Sequence, residues 1–98
     1  MRSHYLLAYD VTDPGRLRRV ARVAEDFGDR IQFSVFLCQL ADKDVGALRE
    51  ALAAAIRPEE DRVVLVDIGP VKPGESTELP LMVMGVKVEV RQRKGRIF

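Results

Sequence analysis

The segment His4–Val11 is apolar at odd and even positions alike, and this feature limits the possible folds more than any other. Successive side chains of a strand point to opposite faces of the sheet, so a strand that is apolar on both faces is buried on both. A chain of 98 residues can build only one hydrophobic core. We therefore expect a single domain, residues 1–98, with a sheet that is covered on both sides.

A helix is expected directly after this strand. Thr12-Asp13-Pro14 supplies a capping side chain followed by a proline suited to the first helical position. Apolar residues then recur at helical spacing up to Phe27, and Gly28 is the expected stop. The remaining arc of this helix is basic and holds Arg16, Arg18, Arg19 and Arg22.

Later segments complete a regular order of elements. Ile31–Leu40 alternates like a strand, Asp42 is expected to cap a second helix that ends before Pro58, and Val63–Ile68 is the next strand. Leu81–Met84 is expected to form a short strand, and residues 86–98 a C-terminal extension with a further short strand. The predicted class is α+β, a ferredoxin-like βαββαβ domain with an additional short C-terminal strand.

This architecture leaves one face of the sheet without helices. Because the first two predicted strands are apolar on both faces, we expect a homodimer packed sheet to sheet. Residues 86–98, which end in the apolar pair Ile97-Phe98, are expected to pack on the partner subunit.

Composition excludes several kinds of site and location. One cysteine and one histidine cannot form a disulfide or a zinc cage within one chain, which is typical of a reducing cytoplasm. No apolar run approaches the ~20 residues that a membrane span needs. We therefore expect a cytoplasmic protein without a membrane partner.

The charge distribution is more informative than the net charge of +1. Lysine and arginine concentrate on the first helix and in residues 86–96. A folded chain that gathers both would present a basic surface to nucleic acid, although such clusters are also common on solvated surfaces. The pattern alone leaves both interpretations open.

Asp10 is the charged residue at the end of an otherwise apolar strand, beside Tyr9. One interpretation is that it caps the first helix, but Asp13 is the better cap candidate. The other is that two copies of Asp10 meet at a two-fold axis and hold one Mg²⁺, which activates water for phosphodiester cleavage.

Three other side chains allow alternatives. Phe36 could stack on a nucleobase or fill a dimer interface. Cys38 is expected to be a small buried apolar residue, and His4 a surface or interface residue.

Two motifs together resemble a known family. The strand end Tyr5-Leu6-Leu7-Ala8-Tyr9-Asp10-Val11 and the segment Arg30-Ile31-Gln32-Phe33-Ser34-Val35-Phe36, separated by one basic helix, are similar to those of the CRISPR-associated protein two family. Gly85 and the terminal Ile97-Phe98 also resemble the last elements of that family, so the resemblance covers nearly the whole chain.

The resemblance implies a homodimer that takes part in CRISPR adaptation (spacer acquisition, in antiviral defence) as a Mg²⁺-dependent endonuclease on single-stranded RNA or double-stranded DNA. It implies Asp10 as the metal-binding acid with Tyr9 in the same catalytic motif, and Arg19, Arg30 and Phe36 as motif positions. With the basic helix, the expected nucleic-acid contacts are Arg16, Arg19, Arg22, Arg30 and Phe36.

Two alternatives to the nuclease stay open. The chain could be a non-catalytic DNA-binding scaffold for the CRISPR-associated integrase, protein one, with basic residues of helix one and the tail on the phosphates. More distantly, it could be a regulatory ferredoxin-like module that binds a small ligand between sheets.

Overall fold

The computed structural model describes residues 1–72 and 80–88. Within them lie four strands and two helices. In chain order these are β1 (Arg2–Asp10), α1 (Pro14–Phe27), β2 (Gly28–Gln32), β3 (Val35–Ala41), α2 (Asp42–Ala55) and β4 (Arg62–Pro70).

The four strands form one antiparallel sheet in the order β2-β3-β1-β4. The element order is βαββαβ, which confirms the α+β, ferredoxin-like fold. The prediction of one continuous strand over Ile31–Leu40 is wrong, because the chain reverses at Phe33-Ser34 and Gln32 lies opposite Val35. Apolar alternation continues through this two-residue turn, which lacks the Gly or Asn that usually marks a hairpin in a sequence.

Both helices lie against one side of the sheet, here called the covered face. Its central residues are buried with the inner sides of the helices in a single core. The core consists of Leu7, Tyr9, Val11, Val20, Ala24, Phe36, Cys38, Leu40, Leu48, Leu52 and Ala55. Cys38 is 1% exposed, which confirms its expected burial.

The two helices begin in different ways. Asp13 caps α1 as predicted, since its carboxylate accepts a hydrogen bond of 2.9 Å from the backbone N–H of Arg16. The prediction that Asp42 caps α2 is wrong: the cap position is Ala41, and its backbone N–H donates to Asp44 Oδ2 at 3.2 Å. The carboxylate that satisfies the helix start therefore comes from inside the first turn.

Gly28 ends α1, but for a reason that the sequence does not show. Its φ of −157° is extended backbone that any residue adopts. A Cβ at this position would lie 2.5 Å from Cys38 Sγ and 2.7 Å from the Leu37 carbonyl oxygen. Glycine is needed here because β2 leaves the helix in close contact with β3.

The other side of the sheet carries no helix and is here called the open face. By strand alternation and register it consists of Leu6, Ala8, Val35, Leu37, Val64 and Val66. Val64 and Val66 are 44% and 46% exposed. The expected apolar character of this second face is confirmed, and what covers it stays a prediction.

His4 does not match its expected position. It is buried within the single chain, and its Nδ1 has no hydrogen-bond partner among the described residues. A surface position for His4 is therefore wrong, and a position at an interface stays a prediction. Burial lowers the pKa of this imidazole, because a charged ring is poorly solvated there.

The predicted strand over Leu81–Met84 is also wrong. Residues 80–88 form no strand, and Met82 and Met84 are 86% and 85% exposed. This segment pairs with no described strand, and a strand without a partner leaves its backbone groups unsatisfied. The predicted terminal strand lies largely within residues 89–98, outside the described residues. None of the described helices is long and apolar enough to cross a membrane.

Candidate functional site

Asp10 is the last residue of β1 and is exposed. Tyr9 and Leu7 point into the covered face, so alternation places Asp10 on the side of Ala8 and Leu6, at the edge of the open face. Its register partner on β4 is Arg62, which is exposed as well. Asp13 serves as the helix cap, so Asp10 remains a carboxylate with no capping role.

Tyr9 points the opposite way and is 6% exposed. Its ring stacks on Phe36 with the centroids 6.1 Å apart, and its hydroxyl donates to the Phe33 carbonyl oxygen at 3.4 Å. Burial raises the pKa of the Tyr9 phenol, and the nearby Arg30 guanidinium partly opposes this. Tyr9 therefore contacts the core and the β2–β3 turn rather than the surface beside Asp10.

The structure corrects the expectation that Phe36 contacts nucleic acid. Phe36 is 0% exposed, packed in the core with Leu7 and Tyr9. The Arg30 guanidinium lies over its ring, 5.1 Å from the centroid. A base cannot stack on a ring that has no accessible surface, so Phe36 supports the site from within.

The turn between β2 and β3 lies at the same end of the sheet as Asp10. The backbone N–H of Tyr9 donates to the Ser34 carbonyl at 3.1 Å, and Tyr9 directly precedes Asp10. Phe33, also in this turn, is 70% exposed. The Arg30 guanidinium lies over the Phe33 ring as well, 5.8 Å from its centroid.

Arg16 is engaged inside the protein. Its guanidinium donates to both carboxylate oxygens of Asp61, from Nε at 2.7 Å and from Nη2 at 3.1 Å. Asp61 also accepts a hydrogen bond of 2.8 Å from the backbone N–H of Arg57. The Arg16 guanidinium and this N–H hold the pKa of the Asp61 carboxyl below its usual range.

This ion pair joins the first turn of α1 to the start of β4. The Arg16 side chain is only 14% exposed, and its predicted role on a phosphate conflicts with its bidentate bond to Asp61. The pair also brackets the candidate site: Arg16 follows Asp10 by six residues, and Asp61 precedes Arg62, the register partner of Asp10. Its contribution is to hold these two chain segments together.

Arg19 and Arg22 have a different environment from Arg16. Both are exposed on α1, and no ion pair joins either to another residue in ranges 1–72 and 80–88. Arg30 is intermediate: 42% of its side chain is exposed, and Nη2 lies 4.0 Å from Glu25 Oε2. Of the predicted basic contacts, these three retain accessible charge.

The potential metal ligands of the described residues do not cluster. In the part of the chain that the structure describes, no three His, Cys, Asp or Glu residues lie close enough to hold a metal ion. Asp10 would thus supply one carboxylate per chain. Mg²⁺ is commonly bound by one or two carboxylates, with waters and substrate phosphate oxygens completing its shell, so this donor fits half of a shared magnesium site.

Sequence reasoning missed two residues at this end of the molecule. Phe33 lies within the strand predicted over Ile31–Leu40, because apolar residues continue on both sides of Ser34. Asp61 is the last residue of the acidic run Glu59-Glu60-Asp61. Its pairing with Arg16, 45 residues away, has no local signal in the sequence.

Comparisons with known proteins agree on one family. Residues 2–72 match the family model described as "CRISPR associated protein Cas2". The chain is 33% identical over 94 residues to "CRISPR-associated endoribonuclease Cas2 1" of Rhodospirillum rubrum, covering 96% of this chain and 89% of the relative. It is 37% identical over 71 residues to the Thermus thermophilus "CRISPR-associated endoribonuclease Cas2", covering 71% and 76%.

Solved structures show the same similarity. The Thermus thermophilus hypothetical protein TT1823 superposes with a TM-score of 0.74 at 25% identity, over 93% of this chain and 100% of that one. Streptococcus pyogenes Cas2 gives a TM-score of 0.66 at 25% identity, over 84% and 99%.

Proposed function

This chain belongs to the Cas2 family of CRISPR-associated nucleases, and we propose that it is a Mg²⁺-dependent endonuclease of CRISPR adaptation, with Asp10 as its metal-binding acid. The substrate class is a phosphodiester of single-stranded RNA or of double-stranded DNA. The observation that carries the proposal is the exposed carboxylate of Asp10 at the edge of an apolar open face.

A second copy of the chain completes the site in this proposal. The open face presents Val64 and Val66 to solvent, and burying such a surface against its own copy stabilises a two-fold dimer. Asp10 lies at the edge of that face, so the same packing would bring two carboxylates to one interface. Bound Mg²⁺ supplies charge stabilisation at the phosphate and lowers the pKa of water.

The chain's own residues position and bind the substrate. Tyr9 holds the β2–β3 turn through its hydroxyl and backbone N–H, which places Arg30 at the same end of the sheet as Asp10. Arg19 and Arg22 provide accessible positive charge for phosphates. Tyr9 is therefore assigned a positioning role in the catalytic motif.

The decisive experiment compares cleavage by wild type and Asp10→Asn across a magnesium titration. Loss of the carboxylate removes several kcal/mol of transition-state stabilisation, so we expect cleavage to fall at least about 100-fold. Glu59→Gln is the matched control, because it removes an exposed carboxylate from the α2–β4 turn. Both variants should have the same oligomeric state in solution as wild type.

Undiminished cleavage by Asp10→Asn would contradict the assignment. The assignment would also be contradicted if the cleavage rates of Asp10→Asn and wild type depended on magnesium concentration in the same way. Loss of activity in Glu59→Gln as well would show that the effect is not specific to Asp10.

A second candidate function is a DNA-binding scaffold for the CRISPR-associated integrase, protein one. The observation that favours it is the accessible charge of Arg19 and Arg22. Each phosphate contact adds about one unit to the slope of log affinity against log salt. Replacing both arginines with Gln should lower that slope by about two for duplex DNA, whereas Asp10→Asn should leave it unchanged.

Arg49→Gln on the outer side of α2 serves as the control for general charge loss. A slope that is the same for wild type and the Arg19 and Arg22 double variant would exclude α1 as the duplex contact. If Asp10→Asn lost cleavage but kept duplex binding, the chain would have both a nuclease activity and a separate capacity to bind duplex DNA.

A further inference from the structure

The β2–β3 turn carries an exposed aromatic ring that the proposed nuclease function does not use. Phe33 is 70% exposed, although the Arg30 guanidinium lies over its ring at 5.8 Å from the centroid. Phe36, three residues later, is completely buried. An exposed phenylalanine in a short turn gains nothing from the core, so its ring is available to a ligand.

The backbone of this turn is hydrogen-bonded to Tyr9. Tyr9 donates to it twice, from its hydroxyl to the Phe33 carbonyl at 3.4 Å and from its backbone N–H to the Ser34 carbonyl at 3.1 Å. The Arg30 guanidinium is positioned by its cation–π contact with the buried Phe36 ring. The exposed ring and the cation beside it are therefore preorganised, which lowers the entropic cost of binding.

An aromatic ring beside an accessible guanidinium has the chemistry that recognises an unpaired nucleotide. The ring stacks on a base, and the guanidinium binds the adjacent phosphate. The bases of a duplex are already stacked on their neighbours and are not available to such a ring without extrusion. The location adds a second argument, because the turn shares its end of the sheet with Asp10.

We propose that Phe33 is a stacking platform for an unpaired base of the nucleic acid, with Arg30 on the neighbouring phosphate. The inference rests on the proposed function for the nature of the ligand and deepens it: the preferred substrate of this end of the molecule is a single strand, or an unpaired stretch within a duplex.

The test measures binding rather than cleavage, with magnesium removed by chelation. The probes are a fluorescently labelled single-stranded RNA of about ten nucleotides, the same sequence as a duplex, and the single strand with one abasic position scanned along it. Loss of one stacked base corresponds to about a five- to 150-fold weaker Kd, and this is the effect expected for Phe33→Ala on the single strand. Duplex affinity should stay unchanged.

Phe33→Leu is the matched control, because it keeps an apolar side chain of similar size without a π face. It should bind the single strand as weakly as Phe33→Ala, whereas Phe33→Trp should bind at least as well as wild type. One abasic position should weaken the binding of the single strand to wild type by the same factor as the Phe33→Ala substitution does. The same abasic position should not weaken binding to Phe33→Ala any further, because the stacking contact is already absent.

The chain contains no tryptophan, so Phe33→Trp also introduces a unique fluorescent reporter. Stacking on a base should change its emission on titration with the single strand, but not with the duplex. An unchanged emission, or equal single-strand affinity of wild type, Phe33→Ala and Phe33→Leu, would overturn the proposal. Tight binding by Phe33→Leu with weak binding by Phe33→Ala would replace stacking with simple apolar contact.

This outcome is independent of the nuclease assignment. If Asp10→Asn cleaves normally but Phe33→Ala loses single-strand binding, the stacking platform stands and the catalytic acid is wrong. If Asp10→Asn loses cleavage but Phe33→Ala binds like wild type, the nuclease stands and the platform is wrong.

Discussion

The covered face and the open face of the sheet are built from the same strands, but their side chains differ in exposure to solvent. On the covered face, Leu7 and Phe36 are 0% exposed beneath the two helices. On the open face, Val64 and Val66 remain almost half exposed, and Asp10 lies at its edge. The covered face thus contributes the hydrophobic core, and the open face leaves apolar surface accessible to solvent.

The largest effect is expected on the covered face. Phe36→Ala should lower the free energy of unfolding by about 3–5 kcal/mol, because it leaves a cavity between β1, β3 and Arg30. Phe33→Ala, in the same hairpin, should change it by less than about 0.5 kcal/mol, because that side chain is exposed. Urea unfolding at one fixed protein concentration measures both. Equal midpoints for the two variants would break the distinction between buried and exposed aromatic residues.

An intermediate effect is expected on the open face. Val66→Lys should raise the dimer dissociation constant at least about tenfold, because it places an unpaired charge where two apolar faces would meet. Ala47→Lys adds the same charge on the exposed side of α2 and should leave the association unchanged. Sedimentation velocity over a concentration series gives the constants. A dimer that tolerates Lys at position 66 would mean that the open face is not its interface.

The smallest effect concerns His4, which by register lies on the open face and yet is buried. Burial lowers its pKa below the ordinary 6.5, so the folded protein binds a proton less readily than the unfolded chain. The stability is fully present above pH 6.5 and falls as the pH drops from there through the lowered pKa. The chain has no other histidine, so His4→Gln should flatten this part of the pH profile.

Thermal unfolding between pH 7.5 and pH 5 measures the difference. Wild type should lose more stability than His4→Gln over this interval. If the stability of wild type and of His4→Gln changed with pH in parallel, the protonated His4 side chain would be solvated. The open face would then be more hydrated at this end than the burial of His4 indicates.

Local patterns in the sequence were sufficient for much of the fold. The start of α1 at Asp13-Pro14 was predicted correctly because capping depends on neighbouring residues. The reversal at Phe33-Ser34 was missed because apolar alternation does not stop at a turn that is bonded to β1. The absence of a strand at Leu81–Met84 was missed because strand formation needs a partner, which a local pattern cannot supply.

The candidate site divides in the same way. The position of Asp10 at a strand end could be read from the sequence, because one carboxylate follows an apolar run. The exposure of Phe33 and the burial of Phe36 could not be read from the sequence. Both residues lie in one apolar segment, and only the hairpin determines which ring enters the core. Nor could the sequence show that Arg16 is bound to Asp61 while Arg19 and Arg22 remain accessible.

The sequence by itself determined the α+β class, the basic outer side of α1, the strand-end carboxylate and the family to which the chain belongs. The first three properties follow from residue type and spacing, which act over one or two turns of helix or one strand, and the family follows from the resemblance of two motifs to those of known members. The tertiary structure decided which aromatic ring is exposed, which arginine is free and which face stays open. Those outcomes depend on contacts between residues that are distant in the chain, and only packing brings them together.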